Sequence, residues 1–152
     1  MGKSFQRCSY LLLGGILALL APLPAVQAAV VTTGDVTPSD PATWTANTPL
    51  TIGNTADGSV LVSGGSTVTV TVGDFVKLAM TPGVTGTVTV DGVGSVWNAG
   101  PLAIRAGTSS LPANFAGGTG IVNITNGGTV NTTVTIGDAF NTTGYLNITN
   151  GG

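Results

Sequence analysis

The chain repeats one short order of residues. An alternating apolar triplet is followed by a Gly-containing turn and then another apolar residue. It reads Val60-Leu61-Val62 to Val68, Val88-Thr89-Val90 to Val96, and Val122-Asn123-Ile124 to Val130, with the last two apolar positions six apart each time. Leu146-Asn147-Ile148 begins a fourth copy, which runs into Asn150-Gly151-Gly152. A second element, apolar-x-apolar then a turn, alternates with the first. Its copies are Leu50-Thr51-Ile52-Gly53-Asn54, Val70-Thr71-Val72-Gly73-Asp74 and Val134-Thr135-Ile136-Gly137-Asp138, with a degenerate one at Leu102-Ala103-Ile104. Alternation with period two places successive side chains on opposite faces of a strand. The run Ser66 to Val72 shows it plainly, with Val on one face and Thr on the other. Units this short cannot bury their own apolar face, and stacking them supplies a continuous core.

The expected fold is therefore all-β, a parallel β-helix (β-solenoid) of short strands with Gly-rich turns over residues 50–152. Residues 29–49 form an N-terminal lead-in or cap. A sandwich of the same strands is the structural rival, and the fixed order of the two elements with variable insertions favours the solenoid. Gly64-Gly65, Gly127-Gly128 and Gly151-Gly152 are the expected corners, where positive φ is needed. The fourth copy stops within the unit, so 152 residues read as the N-terminal part of a longer protein.

The first 28 residues follow another logic. Lys3 and Arg7 precede an apolar run from Tyr10 to Ala21, Pro22 and Pro24 end it, and Val26-Gln27-Ala28 supplies small residues. This is the layout of a cleavable secretory signal, with the cut expected between Ala28 and Ala29. The run is roughly 12 residues, short of the roughly 20 needed to span a bilayer. Cleavage removes Cys8 and leaves Lys77 and Arg105 against six Asp, a net charge of −4. The expected destination is the exterior or the outer cell surface, and disulfides have no part in stability there.

Composition narrows the chemistry. The chain has 24 Gly, is 7% charged and contains no His. Ser-His-Asp and Cys-His arrangements are excluded, and four basic residues make no patch for a phosphate backbone. No catalytic, cofactor-binding or metal-binding residue is expected, and no cofactor. Asp74, Asp91 and Asp138 each adjoin a Gly, which fits a turn carboxylate bonded to nearby backbone N–H groups better than a catalytic row. Asn123, Asn131, Asn141 and Asn147 each begin an Asn-x-Thr triplet, but two of these are the repeat itself. The runs Thr67 to Thr71 and Thr85 to Thr89 read as ordinary outward Thr, because the outward positions drift to Asn123, Asn147 and Leu61. Trp44, Trp97, Phe75, Phe115, Phe140 and Tyr145 read as corner packing.

The stretches Thr85-Gly86-Thr87-Val88-Thr89-Val90-Asp91-Gly92-Val93-Gly94-Ser95-Val96-Trp97 and Gly118-Thr119-Gly120-Ile121-Val122-Asn123-Ile124-Thr125-Asn126-Gly127-Gly128-Thr129-Val130 resemble the two alternating half-motifs of bacterial autotransporter-like and PEP-CTERM-associated surface proteins. The likeness covers about residues 50–152. It departs at the single motif Trp, Trp97, and at the long stretch from Ile104 to Phe115. The resemblance implies an exported bacterial β-helix belonging to a cell-surface or matrix protein, non-enzymatic and adhesin-like. The partner expected is surface or matrix polysaccharide, with no nucleic acid. Membrane contact is expected only through the export signal or a C-terminal anchor beyond these residues. A polysaccharide-binding module, or the non-catalytic part of a carbohydrate-active β-helix enzyme, is the alternative.

Overall fold

Alternating Val and Thr at Thr67–Val70, Thr85–Asp91 and their neighbours give extended backbone with one apolar face. In the computed structural model that face is turned inward in Gly58–Ser63, Thr67–Val70, Thr85–Asp91 and Thr119–Thr125. The structure describes residues 28–70, 76–99, 105–106, 117–134 and 142–152, with residues 105–106 described by backbone alone. The strands are β1 (Ala29–Gly34), β2 (Val36–Thr37), β3 (Thr51–Ile52), β4 (Gly58–Ser63), β5 (Thr67–Val70), β6 (Lys77–Leu78), β7 (Thr85–Asp91), β8 (Val96–Ala99), β9 (Arg105–Ala106), β10 (Thr119–Thr125), β11 (Thr129–Asn131) and β12 (Thr143–Thr149). The fold is all-β, and among the described residues the single helical element is a 3-10 turn at Pro41–Thr43. Among the described residues no helix is long and apolar enough to cross a membrane. Most of the leader (residues 1–27), the Val72 and Ile136 copies, the Leu102–Ile104 copy, Asp74, Asp138, Asn141, Phe75, Phe115 and Phe140 lie outside the described residues.

The strands form three sheets. The first has the order β1-β4-β7-β10-β12, the second β11-β8-β5 and the third β2-β3-β6-β9. From β3 to β11, successive strands enter the third, first and second sheets in turn, β12 returns to the first, and each meets its predecessor in the same sheet in parallel. The sheets are nevertheless mixed, not uniformly parallel as expected. β1 runs antiparallel to β4 and β2 antiparallel to β3, so the lead-in lies reversed along the edges of the first and third sheets. That reversal satisfies backbone N–H and C=O groups of β3 and β4 that an uncovered edge would expose.

Register stacks like on like. Val60, Val88, Val122 and Leu146 form one inward column of the first sheet, and Val62, Val90, Ile124 and Ile148 the next. All three sheets contribute to one apolar cluster, which joins the column residues of β4, β7 and β10 to Ile52, Leu78, Val68, Val70 and Trp97. Each fully buried Val or Ile contributes about 1.5–3 kcal/mol relative to exposure. The columns surface at β12: Val122 is 2% exposed, whereas Leu146 is 39% and Ile148 56%.

Register also corrects two sequence assignments. Val68 is level with Trp97 and Val130, not with Val96. The turn after β7 holds one residue more than its counterparts, so Val96 faces outward and Trp97 takes the core position, fully buried. Trp97 is a core residue instead of corner packing. Likewise Ile52 is level with Leu78 and, beyond it, Ala106. Val70 ends β5 in the second sheet, opposite Ala99, so it does not share a sheet with Thr51 and Ile52 of the Leu50 copy.

Candidate functional site

The richest polar arrangement is a stack of turns leading from the first sheet to the second. Ser63-Gly64-Gly65-Ser66, Thr125-Asn126-Gly127-Gly128 and Thr149-Asn150-Gly151-Gly152 each close with a bond from the last N–H to the first carbonyl, at 3.1, 3.0 and 3.2 Å. Both central residues have positive φ: 62° and 80° at Gly64 and Gly65, 52° and 84° at Asn126 and Gly127, 51° and 75° at Asn150 and Gly151. Positive φ at two successive positions admits few residue types, and Asn-Gly and Gly-Gly meet that demand. The longer turn Asp91 to Ser95 sits between the first two in the stack, with Gly92 and Gly94 at 89° and 82°.

Side chains tie each turn to the next. Ser95, fully buried, donates its hydroxyl to the Asp91 carbonyl at 2.6 Å and accepts the Gly65 N–H at 3.1 Å. The Asp91 carboxylate accepts from Thr125 Oγ1 at 2.6 Å and Asn126 Nδ2 at 2.7 Å. Asn150 Nδ2 donates in turn to Asn126 Oδ1 at 3.1 Å. A parallel ladder runs on the outward face of the first sheet, where Asn147 donates to Asn123 at 2.9 Å and Asn123 to Thr89 at 3.2 Å. In the second sheet Asn131 donates to Asn98 at 2.8 Å.

Asp91 therefore differs from the expected turn carboxylate. Its oxygen bonds to side chains of the next repeat unit, not to adjacent backbone. Those donors, the Thr125 hydroxyl first and then the Asn126 amide, hold its pKa below the ordinary carboxylate value. Sequence reasoning missed a second carboxylate of this kind. Asp35 Oδ2 accepts from the N–H groups of Asn54, Thr55 and Ala56 and from the Thr55 hydroxyl, at 2.6–3.2 Å. Its pKa is lowered, chiefly by the Thr55 backbone N–H and then by the Thr55 hydroxyl. Asp57 Oδ1 accepts the Thr85 N–H at 2.7 Å. No local signal marks either residue, because their partners lie about 20 and 28 residues away.

The remaining expected residues are dispersed. Asn123 and Asn147 of the Asn-x-Thr triplets are held in the ladder, and Asn131 is bonded to Asn98. Trp44 is half-buried and donates Nε1 to the Pro38 carbonyl at 3.0 Å. Tyr145 is 52% exposed on the outward face. Ala28 is exposed and Ala29 opens β1 opposite Ser63, so the expected cleavage point adjoins the first strand. Among the described residues, no group of three or more His, Cys, Asp and Glu side chains comes together. A groove of about 220 Å³ beside Asp57 is lined otherwise by Thr33, Gly34, Gly58, Ser59, Thr85 and Thr87. The arrangement supplies hydrogen bonds that fasten one unit to the next.

Comparison with protein-family models, with curated proteins and with solved structures finds no match to this chain.

Proposed function

We propose that this chain is a β-solenoid segment serving as a non-enzymatic scaffold, exported to the cell surface or extracellular matrix and adhesin-like in the manner of the repeat proteins it resembles. The observation that carries the reading is the continuity of the side-chain ladders, Asp91–Asn126–Asn150 and Thr89–Asn123–Asn147. The recurring polar side chains bond to equivalent positions one unit away, which stiffens a rod along its axis. Among the described residues seven of nine strand pairings are parallel, which favours stacked units over a sandwich, whose sheets are antiparallel. Export through the leader, with cleavage between Ala28 and Ala29, belongs to the same reading. The test is expression with the native leader in a bacterial host, followed by N-terminal sequencing and antibody labelling of intact cells. An extracellular chain beginning at Ala29 supports it. An uncleaved chain retained in the cytoplasm refutes it.

A second reading is polysaccharide binding along the outward face of the first sheet. It is favoured by the uncharged column Ser59, Thr87, Ile121 and Tyr145, with Tyr145 half exposed. Aromatic and hydroxyl side chains on a flat surface suit a neutral sugar chain. Co-sedimentation with insoluble polysaccharides, with Tyr145→Ala as the comparison, tests it. Equal sedimentation of the two proteins counts against it.

A further inference from the structure

Two of the stacked turns share the sequence Thr-Asn-Gly-Gly. An Asn before Gly is chemically vulnerable, because no side chain on the Gly hinders attack by its backbone nitrogen on the Asn amide carbon. Asn126 is restrained at both ends of its carboxamide. Its Nδ2 donates to Asp91 Oδ1 at 2.7 Å, and its Oδ1 accepts from Asn150 Nδ2 at 3.1 Å. Those partners belong to the units on either side. Asn150 has the same backbone conformation, with φ 51° against 52°.

We propose that Asn126-Gly127 is a latent deamidation site, shielded while the turns remain stacked. In the reaction the Gly127 N–H gives its proton to a solvent base and the nitrogen bonds to Asn126 Cγ. The Cγ–Nδ2 bond breaks and ammonia leaves, closing a succinimide. Water then opens one of the two ring carbonyls, giving aspartate or isoaspartate. For Cγ to swing onto the Gly127 nitrogen, the carboxamide must rotate away from both Asp91 and Asn150. The two hydrogen bonds oppose that rotation.

The product does not fit the stack. A carboxylate at position 126 replaces a donor to Asp91 with a like charge at hydrogen-bonding distance. Isoaspartate also adds a methylene to the main chain, just before Thr129, whose N–H bonds the Ser95 carbonyl at 2.9 Å. Deamidation at Asn126 is thus a one-way record that the seam between units has opened.

The experiment follows Asn126-Gly127 by peptide-mapping mass spectrometry during incubation of the full chain at mildly alkaline pH, folded and in urea. Asn126 is expected to deamidate about tenfold more slowly in the folded chain than in urea, the factor that one net hydrogen bond supplies. Asp91→Ala raises the Asn126 rate in the folded chain toward its value in urea, whereas Thr125→Val, which keeps the Asn126 bonds, leaves it nearly unchanged. Equal Asn126 rates in the folded chain and in urea overturn the proposal, as does an Asn126 rate indifferent to Asp91→Ala.

Discussion

Asp91 and Asn126 are 35 residues apart in the chain, yet the carboxylate of one accepts the side-chain amide of the other at 2.7 Å. The same oxygen takes the Thr125 hydroxyl at 2.6 Å. One side chain thus fixes how two repeat units sit on each other. Hydrogen bonds to a charged acceptor are worth about 1.5–3 kcal/mol where shielded, and partial exposure lowers that. Asp91→Ala is expected to destabilise the fold by about 1–2 kcal/mol, and Thr125→Val by less, because Asn126 remains bonded. Urea denaturation of the two variants checks the order. Equal losses contradict it.

Acid should loosen the same contacts. The folded-state pKa values of Asp35 and Asp91 are lowered from 3.8, so below that value the unfolded chain binds more protons than the folded one. Their contribution is full above the unfolded pKa and disappears as pH falls through the lowered folded values. The melting temperature should hold level down to about pH 5 and then decline below about pH 4. With no His in the chain, no His step is added near neutrality. Asp35→Asn combined with Asp91→Asn should lower the plateau and flatten the acid limb. An unchanged acid limb contradicts the assignment.

Gly58, Gly86, Gly120 and Gly144 form a column across the first sheet. At Gly86 a Cβ would press on the Ile52 carbonyl oxygen and lie 2.7 Å from Ala79 N. Both are backbone atoms of the third sheet and the loop beyond it, which cannot swing aside as a side chain does. Gly86→Ala is therefore expected to cost about 1–3 kcal/mol, the usual penalty of overpacking. At Gly83, where no atom lies within 4 Å of an added Cβ, the φ of +79° leaves only backbone strain. Thermal melts of the two Ala variants should rank Gly86 as the costlier site, and the reverse order contradicts the close approach.

Trp97 fills the core with its Nε1 buried and, among the described residues, without a hydrogen-bond partner. Trp97→Ala should cost about 3–5 kcal/mol as a cavity opens. Trp97→Phe also removes the unsatisfied donor, which offsets part of the lost volume, so its cost should stay near 1–2 kcal/mol. Chemical denaturation separates the two, and a Phe variant as unstable as the Ala variant contradicts it.

Much of this fold is legible as alternation. Val60 to Val62, Val88 to Val90 and Val122 to Ile124 align in register as their shared pattern indicates, because a half-buried strand must keep its apolar side inward. The paired Gly and Asn-Gly turns are equally visible, since few residues tolerate positive φ. Three features are not. The additional residue between Asp91 and Ser95 hides the equivalence of Trp97 with Val68 and Val130, as a one-residue shift in a period-two pattern exchanges the faces. The Asp35 and Asp91 contacts escape local reading because their partners come from distant units. The antiparallel lead-in is likewise set by which edge it must cover, a property of the assembled sheets.

The central claim is that successive repeat units stack in parallel and in register, with Thr89 level with Asn123. Level residues on neighbouring strands have Cα atoms within disulfide reach, whereas positions displaced by two residues lie about 7–8 Å apart. Cysteines should be placed at Thr89 and Asn123, and separately at Thr89 and Thr125, each with Cys8→Ser, and crosslinking under mild oxidation quantified by mass spectrometry. The account predicts efficient closure of the 89–123 pair and little of the 89–125 pair. Preferential closure of 89–125, or none of 89–123 in a folded chain, would contradict it.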